Sequence, residues 1–270
     1  MTEQFDFTTT SESVVHPRVD TSVFDEDVRA DAKRIVDRYP ESRSALLPLL
    51  HLVQSVQGHV TAEGMEFCAE QLALSTAEVS AVATFYTMYK RKPCGQHLVS
   101  VCTNTLCAAL GGDAIYRGLS EHLGVGHEET AGTPGEQGSI TLEHAECLAA
   151  CDLGPVLQVN YEYYDKQTSQ SAQELVEALQ RGEKPAPSRG APLTDFRSAE
   201  RQLAGFFDEP AGSGAGDGQP GTADSGARQA VHGPSAAPET LQGARLAHEN
   251  GWTAPAMPDN AELPPLPEKK

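Results

Sequence analysis

The chain has 270 residues, with 38 Asp and Glu against 20 Lys and Arg, a formal charge of −18. That balance argues against nucleic acid and against an anionic membrane surface, because neutralising phosphates needs clustered cations. The most apolar run, 45–53, is short and carries Pro48 and His51, and the N-terminus lacks a basic, apolar leader, so a cytoplasmic protein without direct membrane insertion is expected.

Residues 1–24 are polar and read as a flexible lead-in. From Asp25 onward Val28, Ala32, Ile35, Val36 and Tyr39 recur on one helical face, and Pro40 ends that helix. Ser44 can cap a second helix over 45–57, where Pro48 is tolerated in the first turn and Gly58 supplies the C-terminal stop. A third helix over 62–72 turns Met65, Cys68, Ala69 and Leu72 inward. Ser75 and Glu78 form a capping box that opens a fourth over 76–88. Residues 25–92 thus read as a small helical bundle without a titratable constellation of its own.

The pattern changes after Pro93-Cys94-Gly95. Residues 97–102 read as a β-branched strand, followed by a cysteine-bearing turn and a helix over 112–123 closed by Gly124. A glycine-rich acidic loop over 126–138 precedes strands at 139–145, 156–159 and 163–164. Ser171 and Glu174 can cap a last helix that stops at Gly182. The order is β-α-β-β-β-α, and the fold class expected is α+β. From 186 to 270 Pro, Gly, Ala and Ser dominate, the composition of a mostly disordered tail. Within it Phe196, Ala199, Leu203 and Phe206 share a helical face, which reads as a transient helix rather than a docked one. Fold and site are therefore expected to end near 182.

Four of the six cysteines fall in two pairs, Cys102-x4-Cys107 and Cys147-x3-Cys151, with 39 residues between them. In a reducing compartment such pairs bind metal or do redox chemistry. Zinc knuckles favour C-x2-C, whereas wider gaps suit a cluster of two irons in which each iron takes one pair. Spacing favours the cluster and leaves a structural four-cysteine zinc module and disulfides open. A C-x-x-C redox pair is absent from the sequence. Cys68 reads as a small core residue, Cys94 as a bystander thiol in a turn, and His144 as a strand histidine rather than a ligand. Neither G-x-G-x-x-G nor a P-loop lysine occurs, so nucleotide binding by this chain is discounted.

The two cysteine pairs, with Gly154-Pro155-Val156-Leu157-Gln158-Val159-Asn160 directly after the second, closely resemble the thioredoxin-like [2Fe-2S] ferredoxin family. The stretch 79–89 looks like the family's segment ending its helical region, and Pro93-Cys94-Gly95-Gln96-His97 like its entry to the first strand. Gln57-Gly58-His59-Val60 is similar to the family's helix-turn, with His59 where an aromatic is usual. Leu148-Ala149-Ala150 stands where Leu-Gly-Ala is common. The resemblance covers about residues 25–185 and implies a thioredoxin-like domain over 93–185. It implies one [2Fe-2S] cluster on Cys102, Cys107, Cys147 and Cys151. It also implies a partner subunit that carries FMN and oxidises NADH, and a large iron–sulfur subunit as second partner. The chain would then be a non-autonomous electron-transfer subunit of an NADH–quinone oxidoreductase, without an active site of its own, in a peripheral arm on the cytoplasmic side of a membrane. The equivalent subunit of an NAD-reducing hydrogenase or an NAD-linked formate dehydrogenase is the alternative.

Overall fold

A computed structural model describes residues 19–189 and 191–206. Helix α1 (Glu26–Val36) begins where Asp25 accepts a hydrogen bond from the Val28 amide, and it places acidic residues in its first turn and Lys33 and Arg34 in its last, as the helix dipole favours. Helix α2 (Leu46–Gln57) has no side-chain cap; a 3-10 turn, Ser42–Ala45, leads into it instead of the expected Ser44 cap. It ends at Gly58 in the left-handed conformation. Helix α3 (Ala62–Leu72) is capped by Thr61, and α4 (Thr76–Phe85) opens on the Ser75–Glu78 capping box with both halves formed. Leu49, Leu50, Leu52, Val53, Phe67 and Cys68 are fully buried among these helices.

The second half is a five-stranded sheet of order β2-β3-β1-β4-β5. Strand β1 (His97–Cys102) runs parallel to β3 (Ile140–Ala145) and antiparallel to β4 (Leu157–Val159). Strand β5 (Glu162–Tyr164) pairs with β4, and β2 (Glu129–Ala131) with β3. β1 is central and buried along its whole length, which explains its unbroken apolar and β-branched character. Helix α5 (Thr105–Ala109) follows β1, then α6 (Gly112–Leu123); α7 (Ser169–Gln180) follows β5. Ile115, Leu119, Leu175, Val176 and Leu179 from α6 and α7 form one core with Val99, Val101, Ile140 and Leu142. The expected β-α-β-β-β-α core is present. To it are added β2, an edge strand within the stretch read as a loop, and α5, within the cysteine turn. Helix α7 is capped by Thr168 and Ser171, one turn earlier than the Ser171–Glu174 pair suggested.

The main departure from the sequence reading lies beyond residue 186. The Ser188 amide donates to the Tyr163 carbonyl (2.8 Å), and the Ala191 amide to Glu162 Oε2 (2.9 Å). Helix α8 (Phe196–Leu203), capped by Asp195, then packs on α2. This is a docked helix, not a transient one. Its buried row is Phe196, Glu200 and Ala204, spaced by four, while Leu203 is 47% exposed rather than facing inward. Glu200, with no exposed surface, accepts from Gln54 Nε2 (2.8 Å) and the Tyr161 hydroxyl (2.7 Å) and pairs with His51 Nδ1 at 2.6 Å. Burial and the neighbouring Glu200 push the Tyr161 phenol well above its usual range, which keeps it a donor. Arg201 pairs with Asp31 at 2.8 Å, and the guanidinium groups of Arg34, Arg38 and Arg201 lie over the Phe206 ring.

These contacts tie the helical half to the sheet. Buried Lys90 pairs with Glu143 of β3, which also accepts from Ser100 of β1 (2.6 Å). Asn160 accepts from the Leu98 amide and donates to the Thr194 carbonyl. Burial pushes His97 down to about 4, so its ring is neutral and its Nδ1 accepts from Asn160 Nδ2 (3.0 Å). The packed chain therefore runs on to Phe206, past the boundary expected at 186. The rest of the expected tail, 207–270, and most of the expected lead-in, 1–18, lie outside the described residues.

Candidate metal centre

The first cysteine pair is set by the end of β1. The Cys102 amide donates to Val156 O and the Thr103 amide to Ala145 O, both at 3.1 Å. The chain then turns at Asn104, whose Oδ1 accepts from the Thr105 amide and caps α5 (2.9 Å). The Asn104 Nδ2 donates to Glu146 Oε2 (2.9 Å), joining the first cysteine loop to the second. Helix α5 turns Cys107 back toward Cys102, and both are only 2% exposed.

This turn requires close approach by α6. A Cβ on Gly112 would lie 2.4 Å from Cys102 O and 2.9 Å from Cys107 O, both backbone atoms that cannot swing aside. Gly112→Ala is expected to destabilise the chain by about 1–3 kcal/mol, as overpacking does. Gly118→Ala on the same helix, where nothing lies within 4 Å, is expected to stabilise by about 0.5–1 kcal/mol. Urea denaturation of the two variants checks the opposite signs.

The second pair leaves the end of β3. Cys147 Sγ and Cys151 Sγ are 3.7 Å apart and both residues are exposed. Cys151 opens a short 3-10 turn, Cys151–Leu153, before the cis Gly154–Pro155 bond. Ala149 has φ 56°, in the left-handed region. Glycine adopts that region most readily, which gives the usual Leu-Gly-Ala its physical sense; the alanine here costs about 1 kcal/mol. The Ala149 amide donates to Cys147 Sγ at 3.4 Å. The second loop folds against the first at Gly154, where a Cβ would lie 3.3 Å from Cys107 Sγ.

Cys102, Cys107, Ala150 and Val156 form one small apolar cluster, with Leu148, Leu153 and Tyr163 against it. Burial pushes the Cys107 thiol up, the Val156 amide pulls it back down, and Cys102 and Cys151 push it further up. Cys151 is raised chiefly by Cys147 beside it, with smaller contributions from burial, Cys102 and Asp152. Each pair thus feels the other, and four thiolates gathered here would repel unless a cation joined them.

Among the described residues, no three His, Cys, Asp or Glu side chains converge on one point as a single-ion site does. The sulfurs stand as two pairs, not as a ready tetrahedron for zinc. The donor set nevertheless fits a group with two metal atoms: paired thiols, backbone N–H groups of Ala149 and Val156 directed at sulfur, and a glycine where a side chain would crowd Cys107. Cys68 lies in the helical core and Cys94 is buried against Leu98 and Phe196, where burial pushes its thiol up to about 12. His144 is exposed, and its ring packs on His127 (4.1 Å) and edge-on to Tyr116 (5.6 Å). Sequence reasoning missed Asn104, Gly112 and Tyr163. The cap at Asn104 and the glycine pair 111–112 were visible signals, whereas nothing local marks Tyr163.

A thioredoxin-like sheet carrying two cysteine pairs on adjacent loops defines the class. The chain belongs to the thioredoxin-like [2Fe-2S] ferredoxin family, whose model matches residues 32–180. It is 51% identical over 231 residues to a subunit of the NADH-quinone oxidoreductase of Mycobacterium tuberculosis and to its counterpart in Mycobacterium bovis, covering 86% of this chain and 83% of theirs. It is 35% identical over 169 residues to the subunit of the same name from Rickettsia conorii, covering 62% of this chain and 99% of that one.

Proposed function

We propose that this chain is the electron-transfer subunit of an NADH–quinone oxidoreductase and holds one [2Fe-2S] cluster through Cys102, Cys107, Cys147 and Cys151. The observation that carries this reading is the gathering of two thiol pairs on two loops of one sheet, tied by Asn104 and Glu146. A bound cluster would supply one-electron exchange. Cys102 and Cys107 keep one side dry, while the exposed Cys147–Cys151 loop and the half-exposed Leu106 and Leu110 offer a face to a partner. That partner is the flavin-bearing, NADH-oxidising subunit, with FMN and NADH held there and not on this chain. A large iron–sulfur subunit is the second neighbour.

No helix among the described residues is long and apolar enough to cross a membrane, which agrees with a place in a peripheral arm. The test is anaerobic reconstitution of the full chain with iron and sulfide, followed by metal analysis and EPR of the reduced protein. Two irons and two sulfides per chain with a spin-half signal are expected. One equivalent of zinc and no such signal would sink the proposal.

A further inference from the structure

One peptide unit in the outer cysteine loop makes two hydrogen bonds. Its carbonyl, that of Leu148, accepts from the Tyr163 hydroxyl at 2.8 Å. Its amide, that of Ala149, donates to Cys147 Sγ at 3.4 Å. The atoms of a peptide unit lie in one plane, so whatever fixes the carbonyl also aims the N–H at the sulfur.

Tyr163 is well placed to fix it. Its ring packs against the apolar cluster around Cys102 and Cys107. The Arg189 guanidinium lies 3.5 Å from the ring centroid. Arg189 is held in turn by both carboxylate oxygens of Asp165 (3.1 and 3.3 Å), and both side chains are nearly buried. The backbone of Arg189 bridges to that of Tyr163, and Ser188 donates to its carbonyl. A planar, doubly bonded guanidinium stacked on the ring leaves it little freedom.

We infer that Tyr163, steadied by Arg189, is a positioning residue that aims the Leu148–Ala149 peptide at Cys147 and thereby tunes the ease of reduction at the outer cysteine pair. Hydrogen bonds to ligand sulfur stabilise the more negative, reduced state. The inference rests on the cluster reading for its redox consequence, while the aiming of the peptide stands on the protein alone.

Two measurements on the full chain test it. In the reconstituted protein, Tyr163→Phe is expected to disfavour the reduced form by about threefold, a shift of about 28 mV to lower potential at 59 mV per tenfold for one electron. Arg189→Gln shifts it the same way by less. Tyr164→Phe removes a comparable bond, from the neighbouring hydroxyl to Pro185 O (2.8 Å), and leaves the potential unchanged. In the metal-free chain, the Ala149 amide is expected to exchange with solvent about threefold faster in Tyr163→Phe and unchanged in Tyr164→Phe, a loss within the range of one neutral hydrogen bond. Unchanged exchange in Tyr163→Phe, or equal potential shifts in the two tyrosine variants, overturns the inference. Failure of the wild-type chain to hold two irons overturns the functional proposal instead and leaves the exchange measurement decisive for the peptide.

Discussion

Ending the chain after Gly182 is expected to cost it the helical core as well as a tail. The cut removes α8 and with it Phe196, Ala204 and Phe206, all nearly fully buried. Loss of a large aromatic side chain from a core costs about 3–5 kcal/mol, and two are lost here. The α2 face left behind carries His51 and Gln54, whose carboxylate partner has gone, so that face rehydrates rather than closing up. A total of about 6 kcal/mol or more is comparable with the whole stability of an ordinary domain, about 5–15 kcal/mol. The cut also removes Arg189 from the ring of Tyr163 and Thr194 from Asn160. Urea denaturation followed by circular dichroism should show residues 1–182 with a far lower midpoint than 1–206, or without a cooperative transition. Equal midpoints would show that α8 contributes nothing.

That outcome reverses the expectation drawn from composition, and the reason is specific. A Pro- and Gly-rich stretch normally lacks the apolar area to offset its ordering entropy. Here the area is supplied by the other side: α2 is apolar on nearly every face and needs a cover that α1 and α3 do not give. The helical period of 196–206 was visible, but its central buried position is Glu200, so the apolar count pointed to Leu203 instead. A similarity over 231 residues of 270 must also extend past Gly182, so the mycobacterial relatives share part of this segment.

Much of the rest was legible because it is local. The Ser75–Glu78 box, the glycine stops at 58 and 124, the limits of β1 and the two cysteine pairs are all set by residues within a turn of one another. What was not legible depends on contacts across the fold. Strand β2 is three residues long and at an edge, defined by its pairing to β3 and not by any alternation of its own. Lys90 and Glu143 look like surface charges until the sheet and the helical half close over them. Tyr163 reads as an ordinary strand aromatic; its hydroxyl matters because of where Leu148 lies.

Serine in place of each cysteine of the two pairs should separate ligation from packing. All four variants are expected to lose the cluster, or to hold one with an altered spectrum, because an alkoxide oxygen is a harder and poorer ligand for these irons than a thiolate. Stability of the metal-free chain should divide them. At Cys102 and Cys107 a hydroxyl enters a nearly dry apolar cluster, where an unpaired one costs about 1–3 kcal/mol. At Cys147 and Cys151, which are exposed, the same change should stay within about 0.5 kcal/mol. Iron content and EPR report the first property and urea denaturation the second. Cys94→Ser supplies the contrast: it buries a hydroxyl beside Leu98 and Phe196, so stability falls while the spectrum of the reduced protein stays that of the wild type. A lost signal in Cys94→Ser, or an unaltered one in any of the other four, would break the assignment of Cys102, Cys107, Cys147 and Cys151 as the ligand set. If all four ligand variants lost the same stability, the division into an inner dry pair and an outer exposed pair would fail, and with it the argument that the partner approaches from the side of Cys147 and Cys151.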